Sequence, residues 1–304
     1  MTSISDVELA TGPDPSEPTF RSQPMGPGLY VVSTPVGNLG DITLRALDIL
    51  RRCDRIYAED TRITKRLLSA YSVTTPLSAY HDHNGAAVRP RILEHLRDGE
   101  RVALVSDAGT PLVSDPGYKL VRSAIEAGYS VTPAPGASAV LAALVCSGLP
   151  SDRFAFLGFA PNRASARAKW IEPWRAAPAT LVAFETPARA GETLLDLADQ
   201  LGDRPAALCR ELTKRFEEVR RGRLRTLAQA VSEGVSLRGE LVIVVGPPGP
   251  DADRWSASDV DAALARALHA GDGVKNAAQS VAAQAGWSRR AVYDRAVALK
   301  EAQS

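Results

Sequence analysis

The sequence predicts two α/β domains with mostly parallel or mixed sheets, followed by a helical segment at the carboxyl end. Short β-branched runs alternate with segments of helical periodicity from residue 28 to about residue 246, which is typical of β-α units around a parallel sheet. The alternation pauses at Leu149-Pro150-Ser151, then resumes, and Pro247-Pro248-Gly249-Pro250 ends it. The length of 304 residues also corresponds to about two domains.

The composition is that of an ordinary globular protein, with 45% hydrophobic and 23% charged residues. Cys53, Cys146 and Cys209 are far apart and form no CxxC pair, which indicates a reducing compartment and no zinc framework. Residues 1–27 lack the basic start and apolar run of a secretory signal, and we expect them to form a flexible tail. The longest apolar run, 137–149, is too short to span a membrane. We therefore expect a soluble, cytoplasmic protein.

The first domain is predicted over residues 28–150. Its strands are short apolar runs, at 29–32, 55–58, 102–105 and 130–132. The run at 102–105 is apolar throughout, as expected of a strand buried on both faces of a parallel sheet. Helical periodicity follows each strand, and it predicts helices at about 43–50, 61–71, 118–127 and 137–149.

The second domain is predicted over residues 151–248, with strands at 154–157, 181–184, 206–209 and 241–245. Residues 255–304 have a purely helical pattern. A helix, a glycine-containing turn and a helix that starts Ser288-Arg289-Arg290 resemble a helix-turn-helix. A small helical cap folded on the body explains the same pattern equally well. Residues 251–304 carry seven basic and seven acidic side chains, which is not a strong nucleic-acid footprint.

The loops that follow the strands are the candidate ligand sites, because ligands of parallel α/β sheets bind beyond the carboxyl ends of the strands. Three of these loops, 33–41, 106–117 and 135–139, are rich in glycine, proline and small side chains. Proline stiffens a loop, and small side chains let an adenosyl- or sugar-sized group approach the backbone. Structural βα turns are often glycine-rich too, but three such loops from one sheet favour a preformed ligand site.

Acidic and basic groups stand together in the loop after the second strand, Glu59-Asp60-Thr61-Arg62. Glu59 lies 22 residues beyond Gly37, which imitates the ribose-binding carboxylate of a dinucleotide site, although the glycines do not follow GxGxxG. Alternatively, Asp60 or Thr61 caps the following helix.

The overall charge of +1, from 36 basic and 35 acidic residues, argues against a protein that coats nucleic acid. Residues 203–225 nevertheless contain eight Arg or Lys and four Asp or Glu. This run is either an anionic-substrate surface or a solvated helix face. His81-Asp82-His83 is interpreted as a surface loop, and the sequence predicts no metal site.

Nine tracts in chain order resemble one family. The first domain contributes STPVGNLGD at 33–41, EDTR at 59–62, VSDAGTP at 105–111, SDPG at 114–117 and PGASA at 135–139. The second domain contributes FLGF at 156–159, FETP at 184–187, RELTK at 210–214 and GELV at 239–242. Together they resemble the bacterial small-subunit (16S) ribosomal RNA cytidine 2′-O-methyltransferases, a branch of the tetrapyrrole methylase superfamily. Each tract alone is weak, whereas nine in order are highly specific.

The resemblance implies two α/β domains with S-adenosyl-L-methionine in the cleft between them. It also implies a homodimer that methylates the ribose of a decoding-centre cytidine on the assembled small subunit. The cofactor contacts that it implies are Pro35, Asp107, Gly109, Thr110, Ser138, Ala139 and Phe159. The long polar amino-terminal tail departs from the family pattern, and we expect it to be irrelevant to catalysis.

A ribose hydroxyl becomes a good nucleophile only as it loses its proton, so a base or a nearby cation is required. We hypothesise that Asp60 with Arg62, or Glu211 with Lys214, serves there, because both pairs lie at predicted strand exits. Either pair is equally well explained as a structural ion pair. Two other functions compete: methylation of a tetrapyrrole-like small molecule, and non-catalytic nucleic-acid binding by residues 255–304. The helical tail and the basic run favour RNA methylation.

Overall fold

The computed structural model describes residues 22–233, 238–249, 257–269, 272–285 and 287–301. Most of the predicted tail at 1–27 therefore lies outside the described residues, as do a few positions of the predicted helical segment. The chain divides into two compact units between Ser138 and Ala139. Each unit is described by itself.

The first unit contains five parallel strands: β1 (Gly28–Val32), β2 (Arg55–Ala58), β3 (Leu77–Ala79), β4 (Arg101–Val105) and β5 (Val131–Ala134). Their order in the sheet is β3-β2-β4-β1-β5. The central pair, β1 and β4, is in register from Gly28↔Arg101 to Val32↔Val105. Because all five strands run in the same direction, their carboxyl ends meet at one edge of the sheet.

The helices of the first unit are α1 (Leu44–Arg52), α2 (Thr61–Ala70), α3 (Gly85–Arg97) and α4 (Tyr118–Glu126). Ala103 and Val105 of β4 belong to one apolar cluster, and Val102 and Leu104 belong to another. Successive side chains of a strand point to opposite faces, so β4 is buried on both sides. This explains its uninterrupted apolar run.

Neither β3 nor α3 is predicted from the sequence. The strand β3 has only three residues and lies at the edge of the sheet. The helix α3 contains Pro90 in its interior, and Asn84 makes no side-chain hydrogen bond at its start. A short strand and a helix with an internal proline both give weak sequence signals.

The second unit begins with α5 and continues as an α/β layer. Its elements are α5 (Ala139–Ser147), β6 (Phe154–Phe159), α6 (Ala164–Ile171), β7 (Thr180–Glu185), α7 (Ala190–Leu201), β8 (Pro205–Arg210), β9 (Glu218–Arg223), α8 (Leu224–Ser232) and β10 (Leu241–Val245). The strand order is β6-β7-β10-β8-β9. Only β6 and β7 pair in parallel, and the other neighbours are antiparallel. One parallel sheet and one mixed sheet confirm the predicted fold class.

The helix α5 belongs to the second unit, whereas the predicted domain boundary lies at residue 150. Val140, Ala143 and Leu144 of α5 pack against Val182 and Ala207 of the second sheet. A helix that is apolar on most of its faces gives no sequence signal for the sheet on which it packs. The boundary between the units therefore precedes this helix.

Three helices close the described chain: α9 (Ala257–His269), α10 (Val274–Ala285) and α11 (Arg289–Glu301). They share an apolar cluster that includes Leu264, Val281 and Val292. Arg295 of α11 forms an ion pair with Asp261 of α9. Among the described residues, no helix has the length and apolar character needed to cross a bilayer.

Candidate functional site

The loops that follow β1 and β4 are joined by a two-residue bridge at the carboxyl edge of the first sheet. The N–H of Thr34 donates to the carbonyl of Gly109 at 2.8 Å, and the N–H of Gly109 donates to the carbonyl of Thr34 at 3.0 Å. Gly109 has a φ of 84°, which glycine adopts without the steric penalty of a side chain. A Cβ at this position would lie 3.2 Å from Cγ1 of Val36. Glycine therefore permits the close approach of the two loops.

Hydrogen bonds from side-chain hydroxyls connect the loops that follow β1, β4 and β5. The hydroxyl of Ser33 donates to that of Thr110 at 3.2 Å, and Thr110 donates to the carbonyl of Ala137 at 3.2 Å. Within the β4 loop, Ser106 donates to the carbonyl of Gly109 at 2.9 Å. Ser33 and Ser106 are buried, so these bonds satisfy hydroxyls that bulk water does not reach. The three loops thus form one preorganised surface.

The β5 loop also approaches the β1 loop closely at Gly136. A Cβ at Gly136 would lie 2.9 Å from Cβ of Ser33, so a larger residue would displace one of the loops. Most of the cofactor residues implied by the resemblance lie on the bonded loops of the first unit: Pro35, Asp107, Gly109, Thr110 and Ser138.

Asp107 links the β2 exit loop to the β4 loop, because its Oδ1 accepts the N–H of Asp60 at 2.9 Å. The side chain of Asp60 is the N-cap of α2: it accepts the N–H of Arg62 at 2.8 Å and pairs with the Arg62 guanidinium at 2.6 Å. The hydrogen bonds from Arg62 lower the pKa of Asp60 to about 2. Asp60 is therefore an ionised, weakly basic capping residue.

Three carboxylates at this edge of the sheet have raised pKa values. Burial raises the pKa of Asp107 above its ordinary value. Burial, followed by the charge of Asp107, raises the pKa of Glu59. Burial, together with the charges of Glu59 and Asp107, raises the pKa of Asp115 to about 7. The sequence singles out Glu59 and Asp107 but not Asp115, whose environment depends on its burial and on the β2 exit loop that carries Glu59.

We expect Asp115→Asn to stabilise the protein at neutral and alkaline pH. The folded state holds the Asp115 proton more tightly than the unfolded state does, so stability falls as the pH rises from about 4 to about 7. The asparagine removes this loss, which we expect to be about 2 kcal/mol for a half-buried group. Urea unfolding at several pH values checks this. If Asp115→Asn already stabilised the protein below pH 4, the raised pKa of Asp115 could not be the cause of the gain in stability.

Glu211 and Lys214, the other candidate catalytic pair, lie in the second unit just after β8. The Lys214 Nζ lies 2.9 Å from Glu211 Oε1 and 3.2 Å from Glu240 Oε2. The backbone N–H of Glu240 donates to Glu211 at 3.0 Å, and this bond, followed by Lys214, lowers the pKa of Glu211. Burial alone would lower the pKa of Lys214, but the two carboxylates outweigh it and raise the pKa. Lys214 is therefore a fixed cation.

Ala139 and Phe159, the remaining cofactor residues implied by the resemblance, also belong to the second unit. Ala139 is the first residue of α5, and Phe159 is the last residue of β6. The Phe159 ring meets Phe184 edge-on, with centroids 5.2 Å apart, and remains largely exposed.

The basic run at 203–225 contains the edge strand β9, which the sequence does not predict. Arg220 pairs with Glu218 at 2.7 Å, and Arg221 donates to the carbonyl of Ser147 at 3.2 Å. These arginines thus bind partners within the unit, so the local surplus of positive charge overstates the free cationic surface.

The His81-Asp82-His83 segment follows β3 and leads into α3. The two imidazole rings lie 6.0 Å apart and meet edge-on. In the described part of the chain, no group of three His, Cys, Asp or Glu residues is arranged to hold a metal ion.

The family model of the tetrapyrrole (corrin/porphyrin) methylases matches residues 28–228, which is more than half of the chain. The chain belongs to this family. A "Ribosomal RNA small subunit methyltransferase I" of Mesorhizobium japonicum is 46% identical over 281 residues, which is 92% of this chain and 95% of the relative. A protein of the same name from Neisseria meningitidis serogroup B is 43% identical, over 91% of this chain and 95% of the relative.

Solved structures share the fold of this tetrapyrrole methylase. A diphthine synthase aligns with a TM-score of 0.58 at 19% identity, over 72% of this chain and 89% of the other. A uroporphyrin-III C-methyltransferase from Thermus thermophilus, complexed with S-adenosyl homocysteine, aligns with a TM-score of 0.51 at 21% identity, over 72% of this chain and 97% of the other. At these identities the likeness concerns the fold.

Proposed function

We propose that this tetrapyrrole methylase transfers a methyl group from S-adenosyl-L-methionine to the 2′-oxygen of a cytidine ribose in small-subunit ribosomal RNA, at the decoding centre. One observation carries the proposal: the 46% identity, over nearly the full length of both chains, with a small-subunit ribosomal RNA methyltransferase I. The bonded loops at the carboxyl edge of the first sheet support it, because ligands of parallel sheets bind at that edge.

The residues of this edge fit an adenosyl cofactor. Gly109 and Gly136 stand where a Cβ would crowd the neighbouring loop, so both glycines let the loops pack into one preformed edge. Asp107 offers a half-buried carboxylate whose second oxygen can accept from a hydroxyl or ammonium group of the cofactor. When bound, S-adenosyl-L-methionine supplies an electrophilic methyl group on a sulfonium. Positioning of the ribose hydroxyl against that group by a rigid site accounts for much of the rate.

The proton of the ribose hydroxyl must leave as the new O–C bond forms. Asp60 with Arg62 and Glu211 with Lys214 remain the two proposed groups. The low pKa of Asp60 makes it a weak base at neutral pH. Lys214, held as a cation by two carboxylates, instead lowers the pKa of a hydroxyl placed beside it.

We expect removal of the residue that acts on the proton to slow methyl transfer by about 100-fold or more. The test compares Asp60→Asn and Lys214→Ala in single-turnover methylation with the cofactor at saturation. Asparagine is a good N-cap, so Asp60→Asn retains α2 and isolates the loss of charge. Cofactor affinity, measured by calorimetry, should stay unchanged in both variants. Near-normal rates in both variants would remove both pairs from the mechanism.

The substrate is tested with cofactor labelled in its methyl group. Naked small-subunit ribosomal RNA, assembled small subunits and a tetrapyrrole are offered in parallel. We expect label in RNA, with assembled subunits as the better acceptor. Label in the tetrapyrrole alone would support the competing small-molecule methylase. Cofactor binding without any label transfer to RNA would contradict the proposed function, and the absence of cofactor binding would favour a non-catalytic regulator.

We further propose that the enzyme works in the cytoplasm as a homodimer. The homodimer rests on the resemblance of the nine sequence tracts, and the cytoplasm rests on the three sparse cysteines, which indicate a reducing compartment. Analytical ultracentrifugation tests the homodimer, and a monomer at micromolar concentration would contradict it.

A further inference from the structure

An open groove of about 690 Å³ runs along α2 and β3 in the first unit. Its lining holds two cations and five hydroxyl-bearing residues but no carboxylate, and its residues are Thr61, Arg62, Lys65, Leu68, Ser69, Val73, Thr74, Thr75, Leu77, Ser78 and Ala79. The groove begins at Thr61, directly after the β2 exit loop. It therefore extends outward from the candidate functional site.

The cations of the groove share one face of α2. Arg62, Lys65 and Ser69 are spaced at i, i+3 and i+7, which places them in one row along a helix. Arg62 is paired with Asp60, whereas Lys65 forms no ion pair within the described part of the chain. Arg66 is exposed on the same helix but does not line the groove. The positive charge of the groove lining that no ion pair compensates thus comes from Lys65.

The other wall of the groove is the open edge of the first sheet. Pro76 accepts the N–H of Ile56, and Tyr80 donates to the carbonyl of Ala58. Bonding to the neighbouring strand alternates along β3, so the N–H groups of Leu77 and Ala79 face away from β2. The open edge therefore offers the backbone N–H groups of Leu77 and Ala79 beside their carbonyls, and the carbonyl of Ala79 already accepts a hydrogen bond from Asn84.

We propose that this groove binds the phosphodiester backbone of a single-stranded segment of the RNA substrate. The inference rests on the proposed function and extends it to the way in which RNA is held. Phosphate oxygens bind Lys, Arg, hydroxyl and backbone N–H donors, and the residues that line the groove include all four kinds of donor and no carboxylate. An added peptide strand at the edge of β3 is the competing occupant, and it needs side-chain pockets rather than a cation.

The test measures the affinity of the full chain for a fluorescent single-stranded RNA oligonucleotide as a function of salt concentration. We expect Lys65→Ala to weaken RNA binding about fivefold. The slope of log K against log salt, which is negative, should become less steep by about 0.7, the value for one phosphate contact on a single strand. In methylation assays, KM for RNA should rise with little change in kcat. Arg66→Ala, which removes an equal charge from the same helix outside the groove, should leave affinity and slope nearly unchanged.

Equal effects of Lys65→Ala and Arg66→Ala would overturn the proposal, because they would indicate a general dependence on charge. RNA affinity unchanged in Lys65→Ala, with an extended peptide captured along β3, would assign the groove to a protein partner and also overturn it. The proposed function fails separately: if the unaltered chain binds RNA but methylates none, the salt dependence of Lys65→Ala still decides the groove.

Discussion

Replacing Gly109 with valine should weaken the binding of S-adenosyl-L-methionine by about 100-fold, equivalent to about 2.7 kcal/mol. The φ of 84° at Gly109 disfavours a β-branched residue. Its Cβ would also stand 3.2 Å from Cγ1 of Val36. The bridge between Thr34 and Gly109 must then open, and with it the surface that the hydroxyls of Ser33 and Thr110 hold together. Calorimetric titration with the cofactor measures the loss.

Gly99→Val is the matched control for this experiment. Gly99 has nearly the same φ, 82°, but no atom lies within 4 Å of the position of its Cβ. It lies between α3 and β4, at the amino end of the strand rather than at the candidate site. Both variants therefore carry the backbone strain, and only Gly109→Val disturbs the exit loops. Equal cofactor affinity in the two folded variants would remove the β4 loop from the cofactor site.

Replacing Glu185 with alanine should lower the free energy of unfolding by about 3–5 kcal/mol. The Glu185 side chain is 0% exposed and lies 2.7 Å from the guanidinium of Arg189. It also accepts the N–H of Thr186 at 2.6 Å and the hydroxyl of Thr193 at 2.5 Å. Alanine leaves the charge of Arg189 and the hydroxyl of Thr193 without their partner in a poorly hydrated region. Urea unfolding measures the change.

The exposed pair of Arg225 and Asp199 is the control for the buried pair. Its 2.6 Å separation is as short, but the side chains are 54% and 61% exposed. We therefore expect Asp199→Ala to change the free energy of unfolding by less than about 1 kcal/mol. Similar losses in the two alanine variants would show that burial does not set the contribution of Glu185. The predicted result would identify Glu185 and Arg189 as a structural ion pair at the end of β7.

The regular β-α alternation was enough to predict the two sheets, because strands such as β4 are apolar on both faces and helices such as α1 carry a distinct apolar stripe. The edge strands were harder to predict. In β3 only three residues pair with a neighbour, and β9 has the sequence EVRRGR, whose polar residues on both faces hide the two-residue period. The packing of α5 on the second sheet depends on contacts between distant parts of the chain, which local patterns do not contain.

The candidate site shows the same division. Glycine, proline and small residues at the carboxyl ends of β1, β4 and β5 predict a surface on which backbone meets a ligand, and the hydrogen bonds of Ser33 and Thr110 give that surface its shape. The capping role of Asp60 was one of two alternatives that the sequence left open, since the same residue type suits a base and a helix cap. The raised pKa of Asp115 follows from burial and from the charges of Glu59, on the β2 exit loop, and Asp107, on its own loop, and the sequence does not reveal such an arrangement.

The position of the transferred methyl group distinguishes methylation of the ribose from methylation of a base. Small ribosomal subunits are incubated with the chain and with cofactor labelled in its methyl group, and the purified RNA is digested with alkali. Alkaline cleavage requires a free 2′-hydroxyl, so a ribose methyl group leaves its label in an alkali-resistant dinucleotide. We predict label in one such dinucleotide that begins with 2′-O-methylcytidine, and much less of it with Gly109→Val at a low cofactor concentration. Label in mononucleotides, which marks a methylated base, would contradict transfer to the 2′-oxygen.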